Sequence, residues 1–247
     1  MPTKSTGEIK PYTRSIARDN GWQWQIPLQH RVGNGLVYSS KYLSDDVATQ
    51  QLLDGLESEP LDIPRIIRFR TGRRLKQWNK NVVSIGLSSG FLEPLESTSI
   101  HLIQTAVTRL IKFFPNKGIK DSEVKEFNRQ SKREYECVRD FIILHYKTNQ
   151  RDDSEFWRDC RRMDVPQSLA NKITLFKQSA KVFNNPHELF ADVAWQQVLI
   201  GQGVIPNDYH PMADTLTDEQ VNDLMTNLDT LIERTVQALP SHQQFIG

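Results

Sequence analysis

The sequence predicts an α+β fold, a small β-rich segment followed by a mostly α-helical C-terminal part. Three observations predict it. Apolar and polar residues alternate in Gly21-Trp-Gln-Trp-Gln-Ile-Pro27, the period-2 pattern of a strand. From about residue 96 the spacing changes to three and four, as in Ile100, Ile103, Val107, Leu110 and Phe114, which is the helical period. The last long stretch, about 218–238, carries Val221, Leu224, Met225, Leu228, Leu231, Ile232 and Thr235 on one face. Thr217 and Gln220 have the spacing of a capping box at its start.

The elements follow in order. Residues 1 to about 20 are polar and aperiodic and read as a loose lead-in. A strand over 21–29 places Trp22, Trp24 and Ile26 on one face. Gly33-Asn-Gly35 is expected to be the hairpin turn, since Gly and Asn tolerate positive φ, and Leu36–Ser40 the returning strand. A helix is expected over 45–57, then strands over Arg65–Arg70 and Asn81–Ile85, with Gly72 marking a turn after the first. Pro115 ends the helix that begins near residue 99. Further helices are expected over about 123–148, 152–162, 167–182 and 187–200. The few short strands make a small sheet alone or the edge of a larger one. In the second case the strands near 22–29 and 36–40 expose edges. There is no internal repeat and no low-complexity segment.

Composition narrows the function classes. With 247 residues, 38% hydrophobic and 25% charged, the chain has the make-up of a globular protein. A net charge of +1 gives no reason to expect nucleic acid or an anionic membrane as partner. No run of about 18 apolar residues occurs to span a membrane, and the first residues lack the apolar core of a signal peptide. Two isolated cysteines, Cys137 and Cys160, point to a reducing, cytoplasmic setting without a disulfide framework. The six histidines are scattered, with no pair at ligand spacing, so no metal site is expected. No Gly-x-Ser-x-Gly elbow supports a hydrolase. Gly201-Gln-Gly203 leads from a helical stretch into Pro206 and is not a dinucleotide loop. The arginines at 65, 68, 70, 73 and 74 read as a solvated strand face or as part of a contact with a missing half of the protein.

Two segments bear on chemistry. In the first, Trp22 and Trp24 taken alone read as a packed sheet face. The second, Asn81-Val-Val-Ser-Ile-Gly-Leu-Ser-Ser-Gly-Phe-Leu-Glu-Pro-Leu-Glu-Ser-Thr-Ser99, reads as strand, tight turn, Pro-stiffened loop and helix start. Such a helix start directs free backbone N–H groups outward and suits an anion. Glu93 and Glu96 taken alone are helix-entry carboxylates favoured by the macrodipole.

Both segments resemble the flavin-dependent halogenases of the tryptophan halogenase type. Trp22, Trp24, Ile26 and Pro27 reproduce that family's Trp-x-Trp-x-Ile-Pro segment, and the second segment is similar almost throughout. The helical stretches around His145–Trp157 and Glu188–Gly203 also look like the family's C-terminal part, where helices wall the substrate pocket. Phe190 and Trp195 then read as core residues first and substrate-stacking residues second.

The resemblance implies an enzyme that uses reduced FAD, oxygen and a halide ion, chloride or bromide, to make hypohalous acid. That acid halogenates an indole-type small molecule such as tryptophan by electrophilic aromatic substitution. A separate flavin reductase supplies the reduced FAD. Glu96 is implied as the active-site carboxylate, with Ser97 as its catalytic neighbour and the backbone at Thr98 and Ser99 as the halide site. Many relatives carry Gly where Ser99 stands, so a positive φ is expected to be awkward there. Gly86, Gly90, Pro94 and Leu95 are implied as cofactor-binding, and Trp22, Trp24, Ile26 and Pro27 as lining the path from flavin to substrate.

The domain division that follows is 1–95 for the β-rich flavin and halide part and 96–247 for the helical substrate-pocket part. The β-rich segment is then a remnant of a flavin-monooxygenase-like sheet. Family members are about twice as long, with a Gly-rich FAD loop and a catalytic lysine in their first half. This chain shows neither, so it is expected to be a truncated C-terminal portion, inactive by itself, that needs the missing N-terminal half as a partner. Two alternatives stand beside this reading: a fragment of a flavin-dependent monooxygenase and a non-catalytic helical binding module.

Overall fold

The computed structural model describes residues 1–5, 7, 10–184 and 188–246. Along the chain come β1 (Pro2–Lys4), β2 (Arg14–Arg18), β3 (Gly21–Pro27), β4 (Arg31–Tyr38), α1 (Asp45–Asp54), β5 (Gly72–Arg73), β6 (Trp78–Asn79), β7 (Val82–Val83) and β8 (Gly90–Phe91). Helices then dominate: α2 (Ser99–Lys112), α3 (Asp121–Lys147), α4 (Glu155–Arg162), α5 (Gln167–Ser179), α6 (Asp192–Gly201), α7 (Asp218–Ala238) and α8 (His242–Ile246). This is the expected α+β order. The chain divides into two compact units, Met1–Ile67 with Arg151–Asp159 and Tyr209–Gly247, and Arg68–Gln150 with Cys160–Asp208.

The first unit is built on an antiparallel sheet of order β1-β4-β3-β2. The lead-in is therefore partly ordered, because β1 and β2 close the two sides of the expected hairpin. Of the strands expected to expose edges, β3 is paired on both sides, whereas β4 meets β1 only over Arg31–Gly33 and its Leu36–Tyr38 stretch is paired with β3 alone among the described strands. The hairpin turn also differs from expectation. Leu28 N donates to Arg31 O at 2.8 Å, so Gln29 and His30 make the turn, and neither has positive φ. Gly33, Asn34 and Gly35 lie inside β4, opposite Ile26, Gln25 and Trp24. The reason is packing: a Cβ on Gly35 would stand 2.3 Å from the Trp24 indole.

Alternation on β3 holds, but the polar face is the more deeply buried. Gln23 and Gln25 are 0% and 4% exposed, against the half-buried Trp24 and Ile26. Their amides donate to the carbonyl of Gly55, at 3.1 and 3.3 Å, at the end of α1. A buried amide is tolerated because it is hydrogen-bonded, and the Gly55 carbonyl at the helix C-terminus needs a donor. Helix α1 starts at Ser44, whose hydroxyl accepts from Val47 N. Trp157 donates its indole N–H to Arg18 O at 2.7 Å.

The second unit centres on α3. One side of this 27-residue helix, with Phe141 and Leu144, packs with Leu169 and Phe176 of α5 and with Trp195 and Leu199 of α6. The other side, with Tyr135, Val138 and Ile142, packs with Leu102 of α2. The strands here are two residues long. Asn128 anchors one of them, accepting from Gln77 N and Trp78 N at 2.8 and 2.9 Å and donating to Trp78 O at 2.8 Å. Gly203 ends the turn after α6 at φ 77°, with Val204 N on Leu199 O, a helix cap as its position after a helical stretch implies.

The helices lie close to their expected places, and Thr217 with Gln220 forms the full capping box. The expected start of one helix at residue 187 lies outside the described residues; α6 begins at Asp192. Other expectations fail. Arg65–Arg70 is not a strand, because no described strand pairs with it; it is extended and mostly exposed. Asn81–Ile85 pairs only at Val82–Val83. The apolar stripe of α2 does not face its neighbour helix: Ile100, Ile103 and Val107 are exposed. The helix is turned so that Leu102 and Ala106 are buried, and Arg109 bonds Ser131 and Glu134 of α3 at 2.9 and 2.8 Å. The stripe on α7 is likewise exposed from Val221 to Ile232. Among the described residues no helix is long and apolar enough to cross a membrane, and no cluster of His, Cys, Asp and Glu would hold a metal.

Candidate active site

The segment Asn81–Ser99 lies wholly within the second unit. It enters through β8, whose Gly90 pairs with Arg73 of β5. A Cβ on Gly90 would stand 2.7 Å from Gly72 O and 2.9 Å from the Tyr135 ring. Gly90 is therefore required by the approach of the protein's own backbone and ring. Gly86 has φ 66° and opens the tight turn to Ser89, with Ser89 N on Gly86 O at 2.9 Å. Leu92 and Leu95 then pack against the cluster of Leu102, Tyr135, Val138 and Ile142. These two leucines tie the loop to the core on either side of Glu93 and Pro94.

Between them and α2 the backbone is strained. Ser97 N bonds Pro94 O at 2.9 Å, closing a 3-10 turn over Leu95–Ser97. Within it Glu96 has φ 69° and Ser97 has φ 51°. Two successive L-residues in the left-handed region cost roughly 1–2 kcal/mol each. Strain of this kind persists where surrounding contacts over-determine it, and such places cluster at functional sites.

The contacts are on α3. The Tyr146 hydroxyl donates to Glu93 Oε2 at 2.6 Å, and His145 Nε2 lies 3.0 Å from Glu96 Oε1. Two adjacent residues of the last turn of α3 thus grip two carboxylates three positions apart. The Tyr146–Glu93 hydrogen bond contributes about 1.5–3 kcal/mol if the carboxylate is ionised, and the His145–Glu96 contact contributes less, because the Glu96 side chain is 32% exposed. That is enough to offset much of the strain. Among the described residues, Glu96 Oε2 has no hydrogen-bond partner.

Immediately after this turn α2 begins. Thr98 is its N-cap, 4% exposed, and its side chain makes no capping hydrogen bond. No acidic side chain occupies the first turn. The first N–H groups of a helix lack intrahelical acceptors, so this end is electropositive, which suits a small anion. Ser99 sits in α2 without positive φ, so the expected difficulty there does not arise; the left-handed conformation falls on Glu96 and Ser97 instead.

Glu96, Ser97, Thr98 and Ser99 are thus brought together, with Pro94 and Leu95 bracing the turn. Trp22, Trp24, Ile26 and Pro27 belong to β3 of the first unit, where Trp22 is buried and the others half-buried. Trp195 is a core residue at 1% exposure. Phe190 stacks on Phe141, with ring centroids 3.8 Å apart. Sequence reasoning placed the stretch from His145 in a pocket-walling helix but gave neither His145 nor Tyr146, about fifty residues beyond their carboxylates, a role. Their pairing with the two glutamates had no local sequence signal beyond two polar-tipped rings side by side at a helix end.

The fold has counterparts among known proteins. The tryptophan 6-halogenase SttH of Streptomyces toxytricini is 35% identical over 247 residues, covering 97% of this chain and 46% of its own length. Flavin-dependent halogenases from Xanthomonas campestris and Brevundimonas sp. BAL3, both of known structure, superpose with a TM-score of 0.96 at 45% and 46% identity. Each is covered to 50% of its length, against 99% of this chain. The chain spans about half the length of the relatives it matches. The tryptophan halogenase family model matches residues 1–218, so the chain belongs to the tryptophan halogenase family.

Proposed function

We propose that this chain carries the carboxylate and halide side of a flavin-dependent halogenase acting on an indole-type aromatic substrate. The observation that carries the reading is the strained turn at Glu96. Among the described residues it leaves one carboxylate oxygen without a hydrogen-bond partner, directly before the N-terminus of α2. The halide, chloride or bromide, is held by the backbone at Thr98 and Ser99. Reduced FAD, when bound, supplies with oxygen and halide the hypohalous acid that the reaction consumes. Glu96 stabilises the cationic ring formed as the carbon–halogen bond forms and the oxygen–halogen bond breaks. Its open oxygen then accepts the proton that the ring releases, and Ser97 holds the backbone between Glu96 and the halide site. Trp22 and Trp24 line the route from flavin to substrate.

The donor set fits a halide better than it fits the whole cofactor. Gly86 faces Ile103, and Gly90 faces the chain's own backbone and Tyr135, so neither frames a dinucleotide cradle. Among the described residues no Gly-rich loop joins a strand to a helix. The FAD pyrophosphate site and the catalytic lysine accordingly belong to the half of the relatives that this chain does not span, and a flavin reductase supplies the reduced cofactor. In this division of labour residues 1–95, with the halide-holding turn that follows them at Thr98 and Ser99, serve the flavin and halide side, and the remainder of 96–247 walls the substrate pocket. The test is to combine the chain with that other half, from a halogenase such as SttH, and add reduced FAD, oxygen, bromide and indole. Monobrominated indole by mass spectrometry supports the reading. Hydroxylated indole alone would replace it with a monooxygenase, and no product with a stable FAD-loaded complex would replace it with a binding module.

A further inference from the structure

We propose that His145 is the positioning residue of Glu96, holding one carboxylate oxygen so that only the other meets the substrate. The inference rests on the halogenase reading for its chemistry, but its geometry stands by itself. His145 Nδ1 lies 2.9 Å from the Phe141 carbonyl oxygen one turn earlier on α3. A carbonyl only accepts, so Nδ1 is the donor there and carries a proton. Nε2 is then left facing Glu96 Oε1 at 3.0 Å. The ring thus spans from the α3 backbone, through Nδ1, to one oxygen of the Glu96 carboxylate.

The ring has little freedom to turn. The Phe141 ring meets it edge-on, with centroids 5.2 Å apart and planes at 83°. Phe141 is itself fixed, 1% exposed, stacked on Phe190 at 3.8 Å and packed edge-on to Trp195 at 4.9 Å. The orientation of the aromatic core is thereby passed through His145 to a carboxylate on a strained surface turn. A fixed imidazole specifies which oxygen is engaged; a lysine on a flexible stem would not. The neighbouring titratable groups on the two elements are Glu93 on the loop and Tyr146 on α3, and these two bond each other. They hold the loop beside the Glu96–His145 pair. A group that orients a catalytic side chain acts through preorganisation, and misplacement of that side chain by about 1 Å costs on the order of 10²-fold in rate.

Two arms test this. In the purified chain, long-range 1H–15N spectra read each ring nitrogen of His145 separately. Replacing Glu96 by Ala is expected to move the Nε2 resonance and leave Nδ1 in its hydrogen-bonded, protonated position. An Nε2 resonance indifferent to Glu96→Ala overturns the proposal. In the enzyme completed with the relatives' other half, His145→Phe is expected to lower kcat for indole halogenation by about 10²-fold with little change in KM. His145→Gln places an amide donor where Nε2 stood and is expected to stay within about threefold of the parent. Equal kcat for parent and His145→Phe, or equal losses for Phe and Gln, overturns it. If the parent enzyme halogenates nothing, the halogenase reading is what fails, and the resonance arm alone decides whether His145 holds Glu96.

Discussion

Trp24 and Gly35 face each other across the β3–β4 pair with no space for a side chain between them. A Cβ built on Gly35 would stand 2.3 Å from two carbons of the indole. The glycine is there so that the tryptophan ring can cross its neighbouring strand. Gly33, at 3.3 Å from the same ring, extends the shelf.

Gly35→Ala is therefore expected to destabilise the chain by about 1–3 kcal/mol, the usual cost of overpacking. Urea unfolding followed by tryptophan fluorescence measures it. A variant as stable as the parent means the ring moves aside freely, and the Trp24 shelf is not a fixed feature.

The same pair shows where the sequence was legible and where it was not. Helices were read well, because caps such as Thr217 with Gln220 and periodic apolar residues are local signals. The turn at Gln29 and His30 was missed because Gly33-Asn-Gly35 is the stronger turn signal, and only the distant side chain of Trp24 explains those glycines. Arg65–Arg70 has strand composition but no partner strand, and pairing is not written in composition. The order of the candidate site, from Glu96 to Ser99, was legible because it is contiguous. Its strain was not, since neither Glu96 nor Ser97 is a residue that favours positive φ. Nor was its clasp, because His145 is brought to Glu96 only by the packing of α3.

The strain itself is measurable. Ser97→Gly removes the Cβ from a residue at φ 51°, and a gain of about 0.5–1 kcal/mol is expected after the extra chain entropy of glycine is set against the relief. The variant is expected to lose halogenation in the completed enzyme, because a looser turn no longer fixes Glu96. Thermal unfolding and product yield are read on the same preparation. A destabilised Ser97→Gly chain contradicts the strain argument.

Cys137 supplies a pH dependence. Burial, with the nearby Glu188 carboxylate as a smaller contribution, pushes its thiol up to about 11. The unfolded thiol releases its proton near 9.0. The folded form thus holds a proton that the unfolded form gives up. This contribution to stability is full below pH 9 and is lost as pH rises through about 11. At pH 8, alkylation of Cys137 by iodoacetamide is expected to run about 10²-fold slower than that of the same thiol in urea. Peptide mass spectrometry of timed samples follows it. Equal rates folded and unfolded contradict the burial assigned to this side chain.

The most direct test of the central claim compares Glu96→Gln with Glu93→Gln in the chain completed by the other half of a halogenase. Halogenated indole and reoxidation of reduced FAD are measured side by side. Glu96→Gln keeps the shape but removes the charge and the proton acceptor, so halogenation is expected to fall about 10²–10³-fold, as when one preorganised electrostatic partner is lost. Reoxidation of the flavin is expected to change little. Glu93→Gln keeps an acceptor for the Tyr146 hydroxyl, which now stands 2.6 Å from Glu93, and is expected to be milder. Halogenation by Glu96→Gln at the parent rate would contradict the account and leave Glu96 a helix-entry carboxylate and nothing more.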